Sequence, residues 1–178
     1  MNDLGLIVRA ASFAANKHRN QRRKDAEASP YINHPLILAD ILVNEGGVSD
    51  ARVVAAALLH DTIEDTETSV EELEAEFGAE VASTVAQVTD DKKLFKEERK
   101  RRQVTTASSK SNAAKFVKLA DKISNLRDVA ASPPADWSVE RRREYFDWAA
   151  EVVVGLRGTN AALERAFDTA FSAKASMG

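Results

Sequence analysis

The chain of 178 residues contains no cysteine. That removes disulfides, thiolate metal ligands and cysteine nucleophiles together, and it favours a reducing compartment. Long hydrophobic runs are also missing. The N-terminal stretch MNDLGLIVRAASFAANKHRN lacks the uninterrupted apolar segment of a signal peptide, and no later run approaches bilayer-spanning length. A cytoplasmic protein with no membrane partner is therefore expected. The net charge is −3, which gives no general attraction to nucleic acid. Sustained strand alternation is absent, as are internal repeats, low-complexity tracts and linkers.

What remains is 44% hydrophobic and 30% charged, the composition of an ordinary folded domain of this length. Every long segment reads as helix. Residues 3–19 carry an apolar stripe through Leu6, Val8, Phe13 and Ala14, and the polar QRRKDAEASP stretch then interrupts as a loop. Asn33 is a candidate cap for a helix with Pro35 in its first turn, ending near Gly46 and Gly47. Ser49 or Asp50 opens ARVVAAALLHD, apolar enough to be buried. Ser69 with Glu72 forms a capping box, and Gly78 stops the helix that follows. Further helices are expected over 79–90, 96–107 and 112–129, with a break at Ser132-Pro133-Pro134, and then over 138–156 and 160–174. The expectation is an all-α, globular multi-helix domain covering residues 1–178.

Basic residues are clustered despite the acidic total. Lys17, Arg19, Arg22, Arg23 and Lys24 form one patch, and Lys92, Lys93, Lys96, Arg99, Lys100, Arg101 and Arg102 form another. Such patches on an acidic protein suit a small polyanion better than a duplex, although each alone reads equally well as a solvated face. The densest chemistry is LLHDTIED, residues 58–65. A buried helix has no solvation reason to end in His60-Asp61 followed by Glu64-Asp65, because unpaired buried carboxylates are costly, so a cation is expected nearby. On a continuing helix Asp61, Glu64 and Asp65 share a face. In KLADKISNLRD, Asp121 lies beside the apolar stripe with Asn125 one turn on. Taken alone, Asp121 reads better as a salt-bridged structural acid, and His34 beside Pro35 as a packing residue. His18 reads as structural.

His34, then His60-Asp61, then Asp121 resemble the H…HD…D signature of the HD-domain metal-dependent phosphohydrolases. AASFAANKHRNQRRKD, PYINHPL, AALLHDTIEDT, FGAEVASTVAQVTDDK and KLADKISNLRD further resemble the hydrolase domain of the RelA/SpoT alarmone enzymes. Together with YFDWAAEVVVGLRGTN the likeness extends over about residues 5–170 and points to the small alarmone hydrolases. HD alone is a weak signal, but HDTIEDT with KLADKISNL at this separation is strong. The resemblance implies one divalent ion on His34, His60, Asp61 and Asp121, and the sulfur-free donor set favours Mn2+ over structural zinc. It implies that Glu64 and Asp65 handle the attacking water, with Glu64 as the principal base. It implies a guanine nucleotide substrate, (p)ppGpp, cleaved at the 3′ position to pyrophosphate and GDP or GTP. Arg23 matches the position that stacks the base. Lys24, Tyr31, Asn125, Arg141 and Tyr145 match positions around nucleoside and phosphates, while Lys96 and Arg99 are candidates for the 5′-phosphates.

Two other readings stand beside this one. An enzyme with the same metal site could take another phosphorylated ribose, such as the 2′-phosphate of NADPH, or a different nucleotide of the wider HD group. A non-catalytic alarmone sensor is the reading from another class, and a dead domain is expected to lose ligands or the Glu-Asp pair, all of which are present. A hydrolase without a synthetase domain is expected, and oligomeric state is not legible.

Overall fold

A computed structural model describes residues 2–25 and 27–177 of the chain. The order of elements is α1 (Asp3–Lys17), α2 (Asn33–Asp40), α3 (Ala51–Leu59), α4 (Thr62–Asp65), α5 (Val70–Phe77), α6 (Ala79–Val88), α7 (Lys96–Thr106), α8 (Asn112–Ala131), α9 (Val139–Val154) and α10 (Ala161–Ser172). The all-α class read from the sequence holds: among the described residues the only β pairing is an isolated antiparallel bridge between Arg22 and Pro30. Among the described residues no helix is long and apolar enough to cross a membrane.

Two helices form the middle of the bundle. In α3 every residue but Arg52 is buried, as its apolar run predicts. Its Ala55, Ala56 and Ala57 carry little bulk, so α1 can approach closely through Ala10 and Ala14, all five being fully buried. The second is α8, which buries Val117, Leu119, Ala120, Ile123 and Leu126 against α2, α3, α6 and α10. Side-chain caps fix where several helices begin. Asp50 accepts from the Arg52 N–H at 2.9 Å, Ser111 from Ala114 at 3.3 Å, Ser138 from Arg141 at 3.2 Å, and Asn160 from Ala162 and Leu163 at 3.0 Å each.

Some boundaries differ from the sequence reading. The first helix ends at Lys17, with His18 as its C-cap. Asn33 is not a cap but the first helical residue. The preceding turn already supplies the start, with Asn33 N–H on Pro30 O at 3.1 Å and Leu36 N–H on Ile32 O at 3.1 Å. Helix α2 runs on through a wider π turn, Ile41–Glu45, before Gly46. Only half of the capping box forms: Ser69 accepts from the Glu72 N–H at 3.2 Å, but the Glu72 carboxylate pairs with Lys17 at 2.9 Å.

Gly155, which caps α9, is required by space and not by backbone conformation, its φ being −77°. A Cβ there would lie 2.7 Å from Ala107 Cβ and 2.9 Å from the Ser108 backbone nitrogen. Gly155→Ala is expected to destabilise the fold by about 1–3 kcal/mol, the usual range for overpacking. Thermal melting should show the midpoint falling by about 2–4 °C per kcal/mol lost.

Candidate active site

The segment from His60 to Asp65 is not a continuation of α3, as its helical spacing suggests. The helix stops at Leu59, Asp61 sits at φ −100° and ψ 0°, and Thr62–Asp65 form a separate turn. The break is made by side chains that take over the helix's last carbonyls. His60 Nδ1–H donates to Ala57 O at 2.8 Å, and Thr62 Oγ1–H donates to Leu59 O at 2.7 Å. Satisfying those acceptors stabilises the terminus. In the neutral ring the bond also fixes the tautomer of His60, which puts the lone pair on Nε2. The negative end of the α3 dipole points the same way, which favours a cation there.

Two more elements converge on this corner. His34, in the first turn of α2, is buried with its ring centroid 5.2 Å from that of His60. Its Nδ1 lies 3.3 Å from Ser124 Oγ and its Nε2 3.4 Å from Asp121 Oδ1. Asp121, on α8, also accepts from Asn125 Nδ2 at 2.7 Å and meets Lys122 Nζ at 3.2 Å. His34, His60 and Asp121 each offer a donor atom within 4.8 Å of the others. Asp61 stands outside that group of three: its Oδ2 is 2.8 Å from His60 Nε2 and accepts a hydrogen bond from the Tyr31 hydroxyl. Tyr31, matched to the substrate shell by sequence, therefore commits its hydroxyl to a neighbour of the donor set.

Electrostatics mark the corner as cation-seeking. Burial opposes charge on His60, but the Asp61 and Asp121 carboxylates outweigh it and raise the imidazole's pKa. For Asp61 and Asp121 burial again opposes charge. It is overcome by His60 and His34 around Asp61 and by Lys122, His34 and Lys118 around Asp121, and both acids fall well below the usual range. A field that holds two buried carboxylates ionised beside two imidazoles is one that a divalent ion would complete. Glu64 differs. Burial and the carboxylates of Asp90, Asp61 and Asp65 raise its pKa, against the pull of the Asp90 N–H at 3.1 Å. Asp65 is held by Gln21 Nε2 at 3.0 Å and by Lys92.

These groups lie at the bottom of a cleft of about 1080 Å³, into which the fold brings every site residue proposed from sequence. Members of both basic patches line it: Arg22, Arg23 and Lys24 of the first, and Lys96, Arg99 and Lys100 of α7 from the second. A smaller cavity of about 500 Å³ adjoins it, sharing Arg23, Lys24, Asn125, Trp137 and Tyr145. Arg23 is ion-paired with Asp128, and Tyr145 packs at a tilt between Trp137 and Trp148 at centroid distances of 5.5 and 5.3 Å. The Arg141 guanidinium lies over Trp137 at 4.6 Å, and Arg99 stands 3.8 Å from Glu64. Sequence reasoning missed Gln21, Lys118, Ser124, Trp137 and Trp148. A polar loop residue and one lysine among many carry no signature. His18 is buried, as a structural residue should be, and bonds Gln21 Oε1 through Nδ1 at 2.6 Å.

Comparison with known proteins agrees with this geometry. The HD domain family pattern matches residues 10–147. The guanosine-3′,5′-bis(diphosphate) 3′-pyrophosphohydrolase MESH1 of Xenopus tropicalis is 57% identical over 170 residues, covering 96% of this chain and 95% of that protein. Its namesake from Homo sapiens is 56% identical over 165 residues, covering 93% and 92%. A solved structure, described as a metazoan ortholog of SpoT that hydrolyses ppGpp, superposes with a TM-score of 0.91 at 48% identity over 94% of both chains.

Proposed function

The chain belongs to the HD-domain family, and we propose that it is a guanosine-3′,5′-bis(diphosphate) 3′-pyrophosphohydrolase that releases pyrophosphate and GDP or GTP. The observation that carries this reading is the His34, His60 and Asp121 donor group at the floor of a cleft rimmed by both basic patches. Two imidazoles and two carboxylates, counting Asp61, balance a divalent charge. With no thiolate the set suits Mn2+ or a similar ion of octahedral preference. Such an ion supplies a water of lowered pKa and polarises the phosphoryl oxygen.

The chain's own groups do the rest. Glu64, made more basic by burial and neighbouring acids, accepts the water's proton. Asp65, fixed by Gln21 and Lys92, orients that water. Asn125 and Tyr145 border the ribose. Arg23, at the border of the two cavities, offers its planar guanidinium to the base, while Lys24 and Arg141 lie at the rim. Lys96 and Arg99 face the 5′-phosphates. The water oxygen bonds to the phosphorus nearest the ribose, the P–O3′ bond breaks, and the proton passes to O3′.

Purified protein with Mn2+ is expected to release pyrophosphate and GDP in equal amounts from guanosine 5′-diphosphate 3′-diphosphate, with no early orthophosphate. Arg23→Ala should raise KM about tenfold and leave kcat within a few-fold, because stacking acts on substrate and transition state alike. Early orthophosphate, or faster turnover of NADPH than of the guanine nucleotide, would overturn the substrate assignment.

A further inference from the structure

Two lysines of α8 are buried at the site, and their ammonium groups are differently employed. Lys122 meets Asp121 at 3.2 Å and lies over the Trp148 ring at 4.3 Å, so its charge is already matched. Lys118 is only 7% exposed and lines the main cleft. Among the described residues no carboxylate lies within ion-pairing range of its ammonium, and no side chain or carbonyl accepts from it. The ammonium itself keeps solvent access through the cleft, so its charge is open to an anion there. Its charge is felt nearby: burial and Lys118 together push the Lys110 pKa down. Arg99 and Lys96 of α7 line the same cleft, and of these Arg99 has Glu64 3.8 Å away.

The helix itself says which anion fits. Lys118, Asp121 and Asn125 follow one another at spacings of three and four residues, so they stand in a row along one face of α8. Each step advances about 4.5–6 Å along the axis. The nucleoside cavity opens at the Asn125 end and the metal donors surround Asp121. Lys118 therefore lies beyond the metal position, on the side away from the nucleoside. Given the proposed function, on which this step rests, we infer that Lys118 grips the distal phosphate of the 3′-diphosphate and so selects a diphosphate over a monophosphate.

The test uses the full chain loaded with Mn2+ and two variants, Lys118→Met and Lys118→Gln. Calorimetric titration with inorganic pyrophosphate should show affinity falling about tenfold or more, the scale of a charge-assisted hydrogen bond, with orthophosphate binding within about twofold of the parent. On guanosine 5′-diphosphate 3′-diphosphate, kcat/KM should fall about 10- to 100-fold, while on the 3′-monophosphate analogue it should stay within about threefold. Manganese content should be unchanged. Unaltered pyrophosphate affinity, or equal losses on both nucleotides with reduced manganese, would overturn the assignment and make Lys118 a support for Asp121. A parent chain that binds pyrophosphate yet turns over no nucleotide would overturn the functional reading alone, since the calorimetric comparison still decides the role of Lys118.

Discussion

Asp121→Asn and His60→Ala are each expected to leave a folded protein that holds no stoichiometric manganese and shows no measurable turnover. Partners that merely orient a metal ligand carry about 10–100-fold in affinity, and a ligand itself carries more. Asparagine is the better probe at position 121, because it keeps the side chain's shape and one acceptor oxygen for Lys122 while removing the charge. Alanine there would strand a buried ammonium. His60→Ala deletes the shorter of two bonds to Ala57 O and leaves it the residue 60 backbone N–H at 3.5 Å. About 0.5–1.5 kcal/mol of stability should go with it, read as a lower melting temperature. Elemental analysis decides the matter: undiminished manganese in both variants would remove His60 and Asp121 from the donor set.

Glu64→Gln is expected to keep its metal and lose at least about a hundredfold in kcat, the scale of a positioned proton acceptor. Glutamine preserves length and can still accept from the Asp90 N–H, now 3.1 Å from the carboxylate. What it cannot do is take a proton. Because burial and neighbouring acids raise the Glu64 pKa, the parent's rate should fall as pH drops through a value above the ordinary carboxylate range. That acidic limb should vanish in the variant. Activity within a few-fold of the parent, with the limb intact, would transfer the role to Asp65.

The helices, the two basic patches and the residues proposed as donors were legible in the sequence because each depends on local pattern or on a motif. What escaped depends on tertiary contact. LLHDTIED has helical spacing throughout, and nothing local shows that His60 and Thr62 will turn back onto Ala57 and Leu59 and end the helix. Asn33 has a capping side chain, but the Pro30–Ile32 turn pre-empts it. The basic patches look like two unrelated surfaces until the fold sets them across one cleft. Lys118 and Lys122 sit four apart and look equivalent, yet only Lys122 finds a carboxylate.

The cleft is assembled from parts of unequal cost to alter. Its inner part comes from α2, α8 and the end of α3, where the proposed metal donors adjoin fully buried residues such as Leu38, Leu59 and Ile123. Its basic wall is α7, which has no buried residue and is tied to α9 through Trp148, whose Nε1–H donates to Lys100 O at 3.2 Å. Exchanges at exposed positions usually shift stability by no more than about 0.5 kcal/mol, whereas core changes cost several times that. Substitutions at exposed cleft positions such as Lys96 are therefore cheap for the fold, while changes beneath them are not. The same inequality makes the fold evolvable in substrate and conservative in reaction.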